Sequence, residues 1–182
     1  MKKQTIKFWM TACLSFFFII TYSQSSPTVP EPWTKTLRMN GYWQGPATLM
    51  MGDKMYHLDY YADFSLTADG SGMYMDEWFN DPELGHMKGA NLIGYNPYDQ
   101  MIHWLSVDNM GTAHEHLGSW KSPDHFYMEN QGMQEGKKYI EKIDCKFIGN
   151  NQFNIEIVAS LDGKVIQELK GNFKRKQKLV SK

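Results

Sequence analysis

The sequence predicts an all-β chain folded as a single up-and-down antiparallel β-barrel of about ten strands, preceded by a short N-terminal helical segment. Three observations carry this expectation. From Gly41 to Arg175 short alternating segments follow one another through tight turns, with no room for a crossover helix. A two-residue hairpin at Gly52-Asp53 sets Met51 opposite Lys54, Leu49 opposite Tyr56, Ala47 opposite Leu58, Gly45 opposite Tyr60 and Trp43 opposite Ala62. After the first pair every member is apolar, so one face of the hairpin is buried. A three-residue loop at Gly149–Asn151 sets Phe147 opposite Phe153, Cys145 opposite Ile155 and Ile143 opposite Ile157, which puts odd-numbered positions inward on both strands. A meander of this many strands leaves two open edges, and closure into a barrel removes them.

The elements follow in order. Ser25 to Pro32 is an extended Pro-rich spacer, and Trp33 to Met39 reads as a helical turn lying over one mouth of the barrel. Tyr42–Met51 and Lys54–Leu66 are the first two strands. Asp69-Gly70-Ser71-Gly72 turns into Met73–Phe79, Asp81-Pro82-Glu83 breaks that strand, and the fourth runs from about His86 to Tyr95. Asn96-Pro97-Tyr98-Asp99 is a type I turn with Pro at its second position. Met101–Val107 and Thr112–Trp120 form the next hairpin around Asp108–Gly111, and His125–Asn130 lies between turn segments at Ser122–Asp124 and Gln131–Gly136. In the last three strands Tyr139, Ile143, Cys145 and Phe147, then Phe153, Ile155, Ile157, Ala159 and Leu161, then Val165, Leu169 and Phe173 each share a buried face. The expected core is Trp43, Leu49, Leu58, Phe147, Phe153, Ile155, Ile157 and Phe173.

The 182 residues divide into a signal peptide over 1–24, the spacer and helical plug over 25–40, the barrel over 41–176 and a basic tail over 177–182. Lys2, Lys3 and Lys7 form a basic start, and the apolar run from Phe8 to Ile20 has the length of a signal-peptide core and is short of the roughly 20 residues a spanning helix needs. Thr21 and Ser23 suit cleavage near Ser23-Gln24 or Gln24-Ser25, so the chain is expected to be periplasmic or secreted. Cys13 is followed by further apolar residues and belongs to the leader, not to a lipidation signal. Cys145 is then the only cysteine of the mature chain, which excludes an internal disulfide. Without the three leader lysines the balance moves from 19 basic against 20 acidic residues to 16 against 20, a net charge near −4. With no basic stripe, nucleic acid is excluded as a partner.

Gly41-Tyr42-Trp43 opens the first strand and Arg175 closes the last on the face of Phe173. This resembles the lipocalin and calycin pattern, in which an arginine from the end of the barrel covers a Gly-x-Trp tryptophan, a guanidinium stacked on an indole. Ten short strands are more similar to the fatty-acid-binding or nitrobindin branch than to an eight-stranded lipocalin, though nitrobindin's haem-pocket signature is missing. From Gly89-Ala90-Asn91-Leu92-Ile93-Gly94-Tyr95-Asn96-Pro97 through Val107-Asp108-Asn109-Met110-Gly111 and His114-Glu115-His116 to the closing strand, the chain resembles an uncharacterised family of exported bacterial proteins with calycin-like barrels. That resemblance implies the fold and export, and no activity.

His103, His114 and His116 are the constellation that bears on chemistry. If Asp108–Gly111 is a four-residue loop, Val107 pairs with Thr112 and His103 falls opposite His116, with His114 on the same face. Three imidazoles in one patch suit Zn²⁺ or Cu²⁺ with a water in an open position, or a polar ligand contact; the alternative is neutral strand histidines bonded to neighbours. Glu141 shares the apolar face of Tyr139 and Ile143, and Gln167 that of Val165 and Leu169. A buried carboxylate needs a partner, so Glu141 reads either as an anchor for a ligand head group or as half of a salt bridge, for instance to Arg175. Glu115 alternates to the opposite face. Tyr60 and Trp104, with the abundant methionines, suit the wall of an adaptable apolar pocket. There is no Gly-rich phosphate loop, Gly-x-Ser-x-Gly elbow or Cys-x-x-Cys pair, so nucleophilic catalysis is unsupported. The expected function is an exported barrel binding a small apolar or amphipathic molecule, with His103, His114, His116, Glu141, Tyr60, Trp104 and Gln167 at the ligand. The alternatives are a Zn or Cu barrel or metal-dependent enzyme using the three histidines, and a structural or interaction module with a filled barrel.

Overall fold

A computed structural model describes residues 29–178. The leader over 1–24, with its cleavage site and Cys13, lies outside the described residues, as do the start of the spacer and the end of the basic tail. A helix α1 (Glu31–Thr36) runs into a single 3₁₀ turn at Leu37–Met39. Ten strands follow: β1 (Gly41–Met51), β2 (Lys54–Thr67), β3 (Gly72–Asp81), β4 (Gly85–Asn96), β5 (Met101–Asp108), β6 (Ala113–Ser122), β7 (His125–Gln134), β8 (Lys137–Phe147), β9 (Gln152–Leu161) and β10 (Lys164–Lys176). Each pairs antiparallel with its neighbours in the chain, and β1 pairs with β10 to close the barrel.

The hairpin registers read from turn chemistry hold at both ends of the chain. Trp43 faces Ala62 and Leu49 faces Tyr56 around Gly52, whose φ of 61° is the left-handed value that glycine supplies in a tight turn. Ile143 faces Ile157, Cys145 faces Ile155 and Phe147 faces Phe153. Trp43, Leu49, Leu58, Phe147, Phe153 and Phe173 are buried, and Ile155 and Ile157 are half-buried against them. Where β1 meets β10, Gly45 approaches so closely that a Cβ there would lie 1.9 Å from the Asn172 carbonyl oxygen.

Four local expectations are corrected. The turn after β7 is two residues, Glu135 and Gly136, both at positive φ, so β7 extends through Gln131–Gln134 instead of ending at Asn130. A bulge between Val165 and Gln167 leaves Val165 opposite Ser160, and Val165 is 54% exposed, not core. The β5–β6 loop is closed by Asp108 and Thr112, with three residues between them and Gly111 at φ 93°. The Asp108 carboxylate fixes it by accepting the Met110 and Thr112 N–H groups. Val107 therefore pairs with Ala113, and His103 faces Leu117 instead of His116. Finally, Arg175 does not reach Glu141: its guanidinium lies 4.3 Å from the Trp43 ring, as the Gly-x-Trp pattern implies, and donates to the Asn40 and Arg38 carbonyls.

The N-terminal segment closes one end of the barrel. Trp33 Nε1 donates to the Gly70 carbonyl at 2.7 Å, Trp120 Nε1 donates to Thr36 Oγ1 at 3.0 Å, and Arg38 donates to Pro123, Asp124 and Gly149 across the end loops. Trp33 and Met39 are buried beneath it in the same apolar cluster as Trp43. These bonds tie the plug to three separate hairpin loops.

Candidate ligand-binding cavity

The barrel interior holds a cavity of about 910 Å³. Ten inward-facing rows enclose more space than these side chains fill. The plug lies at one end. Toward the other the lining includes loop and strand-end residues of alternate hairpins, among them Leu84, Met110, Gly111 and Met133. Its deep walls are aromatic and aliphatic, with Phe64, Phe79, Phe153, Phe173, Ile155 and Ile157. Methionines 39, 51, 75, 87, 110, 128 and 133 also line it, with flexible thioethers that can repack.

Two polar groups of residues interrupt this lining. Inward alternation on β6 brings His114 and His116 to the wall, their rings 4.8 Å apart and nearly perpendicular. Glu141, from β8, reaches past β7 to meet them: its Oε2 is 2.9 Å from His116 Nε2 and 3.6 Å from His114 Nε2. The ligating atoms of the three all lie within 4.8 Å of one another, so the group is able to hold a metal ion. His116 is 2% exposed, and its Nδ1 has no hydrogen-bond partner. The cluster is thus incomplete with protein atoms alone. His114 is more open; burial pushes its pKa below the usual histidine value, against the pull of Glu141.

The second group joins Tyr60 and Trp104, expected from the sequence, to Glu77 and Asn91, which the sequence reading leaves out. Glu77 on β3 accepts hydrogen bonds from the Tyr60 hydroxyl and from Asn91 Nδ2, the latter at 3.0 Å. Asn91 is the hub. Its Nδ2 also donates to the Met75 carbonyl, and its Oδ1 accepts from Trp104 Nε1 at 2.9 Å and from the Ser106 hydroxyl, so both ends of the amide are used. Burial raises the Glu77 carboxyl above the ordinary glutamate value, although the bonds from Tyr60 and Asn91 pull the other way. Burial, then Glu77 itself, holds the Tyr60 hydroxyl well above the usual tyrosine value. Strand parity could have found Glu77, since Met73, Met75 and Phe79 fix the inward face of β3 and Glu77 shares it.

The structure therefore brings His114, His116 and Glu141 together, and sets Tyr60 and Trp104 in a neighbouring network. Gln167 lines the cavity farther along β10, opposite Met51. His103 lies on the outer surface and away from the cavity, between the carboxylates of Asp99, at 2.8 Å, and Glu115. Burial alone would lower its pKa; the bonds to Asp99 and Glu115 outweigh that and raise it. The one-residue change in the β5–β6 register is what removes it from the trio. Cys145 is buried and its thiol is pushed up to about 12, so it is no nucleophile.

No protein-family model and no curated protein matches the sequence. Among solved structures, the S-type phycobiliprotein lyase of Guillardia theta matches with a TM-score of 0.54 at 13% identity, over 80% of this chain and 90% of that one. A redesigned β-barrel matches at 0.45 and 13% identity, over 82% of this chain and 100% of that one. A protein bound to DFHBI matches at 0.43 and 14%, over 79% and 98%. The ten-strand closed meander and the lyase match fit a calycin-like fold. No helix among the described residues is long and apolar enough to cross a membrane.

Proposed function

We propose that this chain is an exported small-molecule-binding barrel, which takes a largely apolar guest bearing a polar head group. The cavity carries the reading: about 910 Å³ of interior space lies within the range of pockets that bury small ligands, and its lining is mainly apolar with a few convergent polar groups. The guest's body lies among the aromatic, Met and Ile side chains, and its head group meets the wall formed by Glu77, Asn91, His114, His116 and Glu141. A guest that buries on the order of 300 Å² of apolar surface gains roughly 7 kcal/mol before the costs of association, so its polar contacts must add to the net affinity. The lyase's name adds to this reading only as a likeness, a barrel of the same shape. Export rests on the basic start and apolar core of residues 1–24 and on the resemblance to exported calycin-like proteins.

Native mass spectrometry of the purified protein should show a co-purifying small molecule or saturable uptake of a neutral apolar fluorophore. An Ile157→Trp substitution, which places an indole in the cavity, should weaken that uptake at least about tenfold. A protein that takes up nothing, with wild type and variant alike, would overturn the reading in favour of a structural module. Fractionation of cells expressing the full chain tests export directly, and retention of the intact leader in the cytoplasm would refute it.

A further inference from the structure

We propose that His114, His116 and Glu141 form a site for one divalent transition metal, Zn²⁺ or Cu²⁺, with a coordination position open to the cavity for a Lewis-basic atom of the guest. The inference deepens the binding reading and, for the role of the open position, rests on it.

The geometry fits without rebuilding. Metal–ligand bonds of about 2.0–2.1 Å at tetrahedral angles separate ligand atoms by roughly 3.3–3.4 Å. Glu141 Oε2 stands 2.9 Å from one imidazole nitrogen and 3.6 Å from the other, values on either side of that spacing. The widest separation in the trio is at most 4.8 Å, and a modest turn of His114, the most exposed of the three, closes it. Two imidazoles and a carboxylate are a donor set that suits Zn²⁺ and Cu²⁺. All three side chains line the cavity, so the remaining position faces the guest.

Charge supplies an independent argument. Among the described residues the cavity lining contains three carboxylates, Glu77, Asp108 and Glu141, and no lysine or arginine. A guest with a carboxylate or other anionic head would find no lysine or arginine there, and burying such a charge unpaired is costly. A dication on the trio offsets the acidic wall and gives such a head group its partner. The outer cluster of His103, Asp99 and Glu115 has the same residue types but faces away from the cavity, and it serves as the internal control.

The test uses purified protein stripped with a chelator and titrated with Zn²⁺ alone, and separately with Cu²⁺ followed by electron paramagnetic resonance. One metal per chain should bind, with nitrogen couplings from two imidazoles. His114→Ala, chosen because its partly open ring is the least needed for folding, should weaken Zn²⁺ binding by more than the roughly 10–100-fold that a supporting residue costs. His103→Ala should leave it unchanged, with circular dichroism checking both folds. Failure to bind one metal, loss of binding in the His103 variant only, or a Cu²⁺ spectrum without nitrogen coupling would overturn the site. A carboxylate-bearing fluorophore should bind at least about tenfold tighter with Zn²⁺ present, and equal binding would refute the open position. A neutral fluorophore separates the two readings. Its uptake without metal binding sinks the metal site and spares the cavity, whereas metal binding with no uptake of either fluorophore does the reverse.

Discussion

Substituting Glu141 by Leu should destabilise the barrel through His116, and the size of the loss follows from what the imidazole keeps. His116 is 2% exposed, and its single hydrogen bond runs from Nε2 to Glu141 at 2.9 Å, because Nδ1 has no partner. With Glu141 gone, the buried ring keeps no hydrogen bond. Stranding a buried polar group costs about 1–3 kcal/mol, and breaking a fully buried charged pair about 3–5. Glu141 lines the cavity and is not sealed in the core, so the lower range applies and we expect about 2 kcal/mol. For a domain of this size that is a fall in Tm of about 4–8 °C. The double substitution His116→Leu with Glu141→Leu replaces the pair by apolar groups and should recover most of the loss, giving a coupling of about 1.5 kcal/mol in a double-mutant cycle. Urea denaturation with chelator present keeps metal out of the comparison. Additive single losses would refute the pairing, and an unaltered Glu141→Leu variant would refute the claim that His116 depends on it.

Three further outcomes follow from the same structure. Glu77 has a raised pKa in the folded state, so its contribution to stability is fully present below the ordinary glutamate value of 4.5 and is lost as pH rises through the raised one; Glu77→Gln, whose amide can accept from Asn91 and donate to Tyr60, should remove that decline from a plot of unfolding free energy against pH, and a persisting decline would refute the assignment. His103 is also raised, so its pairing with Asp99 and Glu115 stabilises the fold below about pH 6.5 and fades above it; His103→Gln should reduce the Tm difference between pH 5.5 and pH 8.5 by about 2 °C in differential scanning calorimetry, and an unchanged difference would count against the pair. Gly45→Ala places a Cβ against the Asn172 carbonyl and should cost at least about 3 kcal/mol in urea denaturation, whereas Gly94→Ala, with nothing within 4 Å of its added Cβ, should stay within about 0.5 kcal/mol; equal effects would show that the β1–β10 seam can yield.

What the sequence made legible was governed by turns whose chemistry fixes a register. Gly52-Asp53 and the 149–151 loop each have one favoured geometry, and apolar pairs on both flanks agree with it. The errors fall where a single residue is added to or removed from the count. Gly111 in the left-handed region makes the β5–β6 loop three residues long, which moves His103 across the sheet, since every register step reverses the face. Asn-Met-Gly after Asp108 carries that signal, because a three-residue hairpin loop favours glycine in that place. The bulge at Val165–Gln167 has no comparable cue. The polar end of β7 reads as loop because its residues are hydrophilic. Gln131 and Gln134 line the cavity, where a polar lining replaces the apolar face that strand periodicity looks for. Parity alone placed Glu141 inward, but its histidine partners lie two strands away, beyond what any one hairpin can specify.

The two polar groups in the cavity differ in a way that separates scaffold from site. Asn91 uses both ends of its amide within the protein, fixing Met75, Glu77, Trp104 and Ser106 across β3, β4 and β5. A buried network in which the members satisfy one another rigidifies a wall and has no need of a guest. The trio of His114, His116 and Glu141 lacks that closure. One imidazole nitrogen is unpaired in a chain that otherwise pairs its buried side-chain polar atoms among the described residues, and the carboxylate has two imidazoles to share. Departures from local satisfaction in an otherwise consistent structure concentrate where a further group belongs. The plug reinforces the asymmetry: Trp33, Arg38 and Arg175 fasten one end, and the loops that carry Met110 and Met133 lie toward the other, with the incomplete trio on the cavity wall.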